Sequence, residues 1–268
     1  MSLIYSEITS RKNDKIIWAS KLTDKKNRDK EGVFFTEGAK LLEEALLAKL
    51  KINKLFFTQK ALEQYESLLS DATAEENYLV TDEVYEKLTD ETAPQGIFAC
   101  IKKPVLEFFS ESNLKDGGFI ILEDIQNPLN LGAILRCAYS LGGTKLILSK
   151  SCADIYGPKT LRSSMGSAFK ARFYICDSIV DFIEAQKKFG NNVYCTHLHS
   201  DSLLLGTFEF KPGDSIVIGN EGHGVSGDVA GVCTHSVIIP MTKDAESLNA
   251  ATASSVLIWE MNKSKLIP

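Results

Sequence analysis

Six short, largely apolar runs recur through the second half of the chain, at residues 119–122, 145–148, 171–175, 193–196, 215–218 and 236–239, with helical stretches between them. Runs of this kind suit strands buried on both faces. Their alternation with helices dictates a mainly parallel sheet covered on both sides. In such sheets ligands bind beyond the carboxyl ends of the strands, so the segments leaving those ends are where chemistry is expected.

The first hundred residues carry a separate pattern. Strands are expected at 32–36, 54–58, 78–80 and 96–101, and helices at 37–50, 61–69 and 82–88; the first of these helices places Leu41, Leu42, Ala45, Leu46 and Leu50 on one stripe. This reads as a small α/β sandwich with its own core. Lys102, Lys103 and Pro104, followed by a stretch rich in Ser, Asn, Asp and Gly, break the pattern. The expected organisation is a first domain at 1–104, a linker at 105–117 and a second domain at 118–268, which suits a chain of 268 residues.

Composition narrows the class. The six cysteines, Cys100, Cys137, Cys152, Cys176, Cys195 and Cys233, are scattered, with no C-x-x-C pair and no zinc-ligand spacing. His197 and His199 alternate without a third ligand nearby, so no metal site is expected. No apolar run approaches the roughly 18 residues of a membrane span, and the N-terminus lacks a signal-peptide core, which points to a cytoplasmic protein with reduced thiols. Net charge is −5, yet residues 11–30 hold eight basic and three acidic side chains. Such a basic arm, with Lys12 and Lys15, suits contact with a polyanion at one place. The alternative is an amphipathic helix that turns Ile16, Ile17 and Leu22 inward and leaves its lysines solvated.

Three segments carry the chemistry. The first, Asn127-Pro128-Leu129-Asn130-Leu131-Gly132-Ala133-Ile134-Leu135-Arg136, follows strand 119–122 and the acidic pair Glu123-Asp124. Asn-Pro starts a turn, Asn130 is read as a helix cap, and Ile134, Leu135, Ala138 and Leu141 form a buried stripe. Arg136 then lies on the opposite side, with Gly132, Ser140 and Gly143. The second segment runs from Gly219 to Ser226 with three glycines that permit close backbone approach. It also satisfies G-x-G-x-x-G through Gly222, Gly224 and Gly227, with Asp244 and Glu246 about twenty residues on. A dinucleotide site fits poorly, because the stretch 227–232 is short for a crossover helix and the unit is the last of its domain. The third segment stops a strand at Pro240 and continues through Met241, Glu246, Ser247, Leu248 and Asn249 into a helix opened by Ala250, Ala251, Ala253, Ser254 and Ser255. Small residues at that density imply that another chain segment crosses very near.

Together these segments resemble the motifs of the SpoU/TrmH family of S-adenosylmethionine-dependent RNA 2′-O-ribose methyltransferases: N-P-x-N-x-G-A-x-x-R, then G-N-E-G-x-G-x-S, then I-P-M followed by E-S-L-N and an Ala-rich helix. The resemblance spans about residues 118–262. The first domain, in which Phe35-Thr36-Glu37-Gly38 opens a long helix, is similar to the ribosomal-protein-like substrate-binding domain of rRNA-directed members. Leu129 stands where many members have Gly, and Lys243-Asp244 replaces a Gly-containing turn.

The resemblance implies an α/β trefoil knot with a mainly parallel sheet, a homodimer, and S-adenosyl-L-methionine as cofactor. It implies that the cofactor rests on Thr196, Gly219, Asn220, Gly222, Ile239, Met241 and Leu248, while Asn130, Arg136, Glu221, Ser247 and Asn249 form the polar pocket around the target ribose. A guanidinium is a poor general base. Arg136 is therefore read as clamping the adjacent phosphate and stabilising the developing alkoxide, with Glu221 or a water accepting the proton. Lys12, Lys15, Lys159 and Arg162 are the expected RNA contacts. Ribosomal RNA is favoured over tRNA as substrate, and the reading from another class is a non-catalytic RNA-binding protein of the same fold.

Overall fold

A computed structural model describes residues 3–104, 114–197, 201–242, 244 and 247–266; most of the expected linker, His199, Lys243 and Glu246 lie outside the described residues. The chain forms two compact units, residues 1–105 with Tyr156–Phe169, and residues 106–155 with 170–268.

In the first unit five strands lie in the order β1 (Ser6–Ile8), β4 (Glu76–Val80), β3 (Ile52–Thr58), β5 (Ile97–Lys102) and β2 (Val33–Glu37). β1, β4 and β3 are parallel, while β5 runs antiparallel to both β3 and β2. Aromatic rings fill its core: Phe98 stacks on Phe35 at 4.7 Å and meets Phe56 edge-on at 6.2 Å. The expected helix at 37–50 starts later, at Ala39–Leu47, because β2 continues through Glu37 and the chain turns at Gly38 with φ +87°. Gln95 Oε1 then accepts from Ala39 N at 2.8 Å, satisfying one of the helix's orphan donors. β1 was not anticipated; it lies at the sheet edge and buries only Ile8 of its three residues, too little for a sequence pattern.

Residues 156–169, expected in the second domain, group with the first unit. Tyr156 stacks on Phe34 at 4.7 Å, Phe169 tilts against the same ring at 5.8 Å, and Leu161 and Ala168 are buried. Apolar area removed from water on the first unit, rather than position in the chain, decides where this crossover packs.

The second unit is a seven-stranded sheet ordered β10 (Leu203–Leu204), β12 (His235–Ile238), β9 (Val193–Cys195), β11 (Ser215–Ile218), β6 (Ile120–Leu122), β7 (Lys145–Ser149) and β8 (Arg172–Cys176), with every pairing parallel. All six expected strands are present within a residue or two; the two-residue β10 is additional. The chain lays down β6, β7 and β8 outward and crosses back to β9. It then inserts β11 between β6 and β9, and β12 between β9 and β10. Phe119, Ile121, Ile147, Val193 and Val217 form the core of one face with Phe182 and Ile183 from helix Ile179–Lys188.

Helix Pro128–Ser140 begins as the Asn-Pro pair suggests, but its cap is Asn127, whose Oδ1 accepts from Leu129 N at 2.9 Å. Asn130, expected to be the cap, lies inside the first turn, because Pro128 needs no donor partner and takes the first helical position. Against this helix packs Ala250–Leu266. Ser254 is fully buried, and Ser255 Oγ donates to Cys137 Sγ at 2.9 Å. The segment that the small residues admit is thus the helix carrying Arg136. The six cysteines are free thiols, and among the described residues no helix is long and apolar enough to cross a membrane.

Replacing Phe98, which is 1 % exposed, by alanine is expected to cost the first unit about 3–5 kcal/mol. Urea unfolding followed through Trp18 in a Trp259→Phe background measures it; an unchanged midpoint would show that the ring cluster contributes nothing.

Candidate functional site

The parallel sheet sends four neighbouring strands toward one edge. β6 ends in Glu123 and Asp124, β9 in Thr196 and His197, β11 in the glycine loop, and β12 in Ile239 and Pro240. Register pairs Leu122 with Ile218 and Cys195 with both Val217 and Ser236. Segments remote in sequence therefore leave the sheet side by side.

The glycine loop folds on itself. Asn220 and Gly224 exchange two main-chain hydrogen bonds of 3.0 Å, and Asn220 Oδ1 accepts from Gly222 N at 2.7 Å and His223 N at 3.4 Å. Gly224 takes φ +71° to close this turn. The ring brings the backbone so near Gly219 that a Cβ there would lie 2.2 Å from Gly224 C and Val225 N. This geometry excludes the dinucleotide reading. The amides of Gly222 and Gly224, which would cradle a pyrophosphate, are both taken by Asn220, and the following helix Gly227–Val232 is capped by Ser226. Asn220 and Gly222, expected as cofactor contacts, consequently act first as the frame of the loop. Thr196 is set at the end of β9 by its N–H, which donates to Val217 O at 3.2 Å.

Three of the five expected polar-pocket residues form one chain. Asn249 Nδ2 donates to Asn130 Oδ1 at 3.0 Å, and Asn130 Nδ2 donates to Glu221 Oε1 at 3.1 Å. Glu221 also accepts from Asn127 N at 3.1 Å and Gln126 N at 3.3 Å. Partial burial by itself would raise the Glu221 pKa. Its own main-chain N–H, the Asn130 amide and the N–H groups of Asn127 and Gln126 outweigh that and hold the carboxyl below its usual range. A carboxylate held this way is a weak base, suited to fixing the start of helix Pro128–Ser140. Arg136 and Ser247 are exposed, and their side chains make no hydrogen bond or ion pair among the described residues. Ile239, Met241 and Leu248 are partly or largely open to solvent, as apolar side chains awaiting a partner would be.

Sequence reasoning missed two contributors. Glu123 and Asp124, seen only as the end of a strand, contact the glycine loop directly: the Glu123 carboxylate accepts from Ser226 N and Oγ, and Asp124 O accepts from Asn220 Nδ2. Their acidity at a strand terminus was the available signal. The expected RNA contacts divide into two kinds. Lys12 and Lys159 are exposed and free of ion pairs among the described residues. Lys15 lies 2.5 Å from Glu76 and 4.3 Å from the Tyr78 ring centre, and Arg162 pairs with Glu91 and lies 4.0 Å from Glu37.

Gly219→Ala forces a methyl group into backbone that cannot yield, at a cost of about 1–3 kcal/mol. Thermal denaturation is expected to show a lowered Tm, and an unaltered Tm would mean the loop is not closed as described.

Comparison with known proteins agrees with this geometry. Residues 118–259 match the SpoU rRNA Methylase family, and residues 13–99 match the MRM3-like substrate binding domain. The 23S rRNA (guanosine(2553)-2′-O)-methyltransferase RlmP of Bacillus subtilis (strain 168) is 29 % identical, covering 95 % of this chain and 98 % of that one. The 23S rRNA (uridine(2479)-2′-O)-methyltransferase of Streptomyces viridochromogenes is 28 % identical over 97 % of this chain and 92 % of its own. Among solved structures, an AdoMet-bound rRNA methyltransferase from Sinorhizobium meliloti superposes with a TM-score of 0.83 at 27 % identity, over 98 % of this chain and 99 % of that one. The α/β fold, with a parallel sheet whose late strands insert among early ones and a small α/β unit before it, agrees with the fold class that the sequence resemblance implies. The chain belongs to the SpoU rRNA methylase family.

Proposed function

We propose that this protein transfers a methyl group from S-adenosyl-L-methionine to a ribose 2′-hydroxyl of ribosomal RNA, working as a homodimer. The observation that carries the reading is the Asn249–Asn130–Glu221 hydrogen-bond chain at the strand ends, in the same unit as an exposed, unpaired Arg136. The names of relatives covering nearly the whole chain are those of methyltransferases, which weighs against the non-catalytic alternative. Relatives matching nearly the whole chain are named for 23S rRNA, which favours ribosomal RNA over tRNA.

The residues present fit the cofactor. Main-chain groups of Thr196 and Gly219 leave the sheet beside one another, while Ile239, Met241 and Leu248 offer apolar surface suited to an adenine. When bound, the cofactor supplies a methyl group already activated on a sulfonium. What remains for the protein is alignment and charge. Holding the ribose in line contributes about 7–11 kcal/mol. Arg136 presents a planar fork for the phosphate beside the target and stabilises the alkoxide as it develops. Glu221, occupied by Asn130 and two backbone amides, keeps the pocket in shape. The proton then leaves to water. Lys12 and Lys159 make the longer-range phosphate contacts, because Lys15 and Arg162 are neutralised within their own unit.

The homodimer reading rests on exposed apolar side chains along two packed helices: Tyr139 on Pro128–Ser140, and Val256, Trp259 and Leu266 on Ala250–Leu266. Surface of that kind, grouped on adjoining elements, is what a self-complementary interface buries.

Mapping 2′-O-methylation across total RNA with and without the gene tests the activity; an unchanged map would refute it. Arg136→Lys keeps the charge and loses the fork, so turnover is expected to fall about 10²-fold, and near-normal turnover would remove the clamp from the mechanism. For the assembly, Trp259→Glu is expected to halve the mass seen by light scattering, whereas a wild-type chain already monomeric would end the dimer reading.

A further inference from the structure

Asp124 is one of four non-glycine residues in the described structure with positive φ, at +55°, and it sits between the end of β6 and the helix carrying Arg136. L-residues rarely adopt this region, although Asp tolerates it better than most. The turn has two consequences for the main chain. The Asp124 N–H faces the end of β7 and donates to Ser149 Oγ at 2.9 Å. Its carbonyl faces the glycine loop and accepts from Asn220 Nδ2 at 2.8 Å. The carboxylate holds the turn in place by accepting from Ser149 Oγ at 3.1 Å and from Ser151 Oγ.

The other end of the loop is tied by the preceding residue. Glu123 donates its N–H to Ile218 O at 2.9 Å, and its carboxylate accepts from Ser226 N at 3.0 Å and Ser226 Oγ at 2.6 Å. Between these two anchors lies Glu221, bound to Asn127 N, Gln126 N and Asn130. Asn220, held at Asp124 by its nitrogen, organises Gly222 and His223 through its oxygen. The position of Glu221, and through it of Asn130 and Asn249, is thus set by which way the Asp124 carbonyl points.

We propose that Asp124 is a positioning residue for methyl transfer, acting through its left-handed main chain: the carbonyl fixes Asn220, and Asn220 fixes the loop that holds Glu221 and Asn130. The inference rests on the methyltransferase reading for its kinetic consequence, while its structural consequence is observable without substrate.

The test compares Asp124→Gly, Asp124→Val and Asn220→Ala with wild type by amide hydrogen exchange and by methylation kinetics. Glycine adopts positive φ freely and keeps the carbonyl direction, so it is expected to retain exchange protection at Gly222 and Gly224 and to rescue turnover. Valine resists that conformation, and Asn220→Ala removes the amide that donates to the carbonyl. Both are expected to lose protection at those two amides while strands β7 and β9 keep theirs, and to lower kcat about 10²-fold, the scale of a one-ångström misplacement, with KM for RNA little changed. Glycine behaving like valine would overturn the proposal, because the carboxylate and not the main chain would then be the working part. Valine behaving like wild type in exchange would overturn it as well. Failure of the methyltransferase reading is separately visible, as a wild-type protein that shows the exchange pattern and transfers no methyl group.

Discussion

The in-register pairing of β11 with β6 is the constraint on which the site depends. Leu122 opposite Ile218, extended by the Glu123 N–H to Ile218 O, places the start of segment 123–130 against loop 219–226. Each polar contact between them follows from that register: Glu123 to Ser226, Asp124 to Asn220, and Gln126, Asn127 and Asn130 to Glu221. A slip by one residue would send every side chain on β11, all four of them buried, to the opposite face and destroy its packing on both sides of the sheet. Hydrophobic burial thereby fixes hydrogen bonds made beyond the end of the ladder.

That arrangement leaves the two charged residues Glu221 and Arg136 in different states. Glu221 is saturated with donors and held ionised, so its charge is directed into its own scaffold. Arg136 has no partner among the described residues, so its guanidinium is available to a phosphate or a developing oxyanion. A carboxylate that satisfies backbone amides stabilises the turn; a cation left unpaired on a rigid helix is preorganised for an incoming charge. The close approach of Ala250–Leu266 supports this rigidity, since Ser254 and Ser255 let the last helix pack directly on the one that presents Arg136.

The first unit shows the same distinction between charge counted and charge available. Residues 11–30 read as a basic arm, yet Arg28 is buried and donates to Leu22 O and Thr23 O, and Lys15 is tied to Glu76. Ile16 and Leu22 are fully buried, as the amphipathic-helix reading requires, and the basic side chains of the segment divide between those consumed within the unit and those left exposed. Exposed lysines such as Lys12 remain for a polyanion.

Much of this was legible before any coordinates. Runs of buried apolar residues announced the parallel sheet, since strands covered on both faces leave no alternation to confuse them, and three ordered motifs picked out segments that the fold brings to the strand ends. Asn127 as the true helix cap was obscured by Asn130, because both are good cap residues and only the placement of Pro128 decides between them. The packing of residues 156–169 on the first unit was hidden because aromatic residues do not reveal which core they will enter. Sequence by itself determined the fold class and the identities of the chemical groups, through local pattern and residue type. Tertiary structure alone decided which of those groups are free and which are consumed, because hydrogen-bond partners about 95 residues apart in sequence are set by strand register, which no local pattern contains.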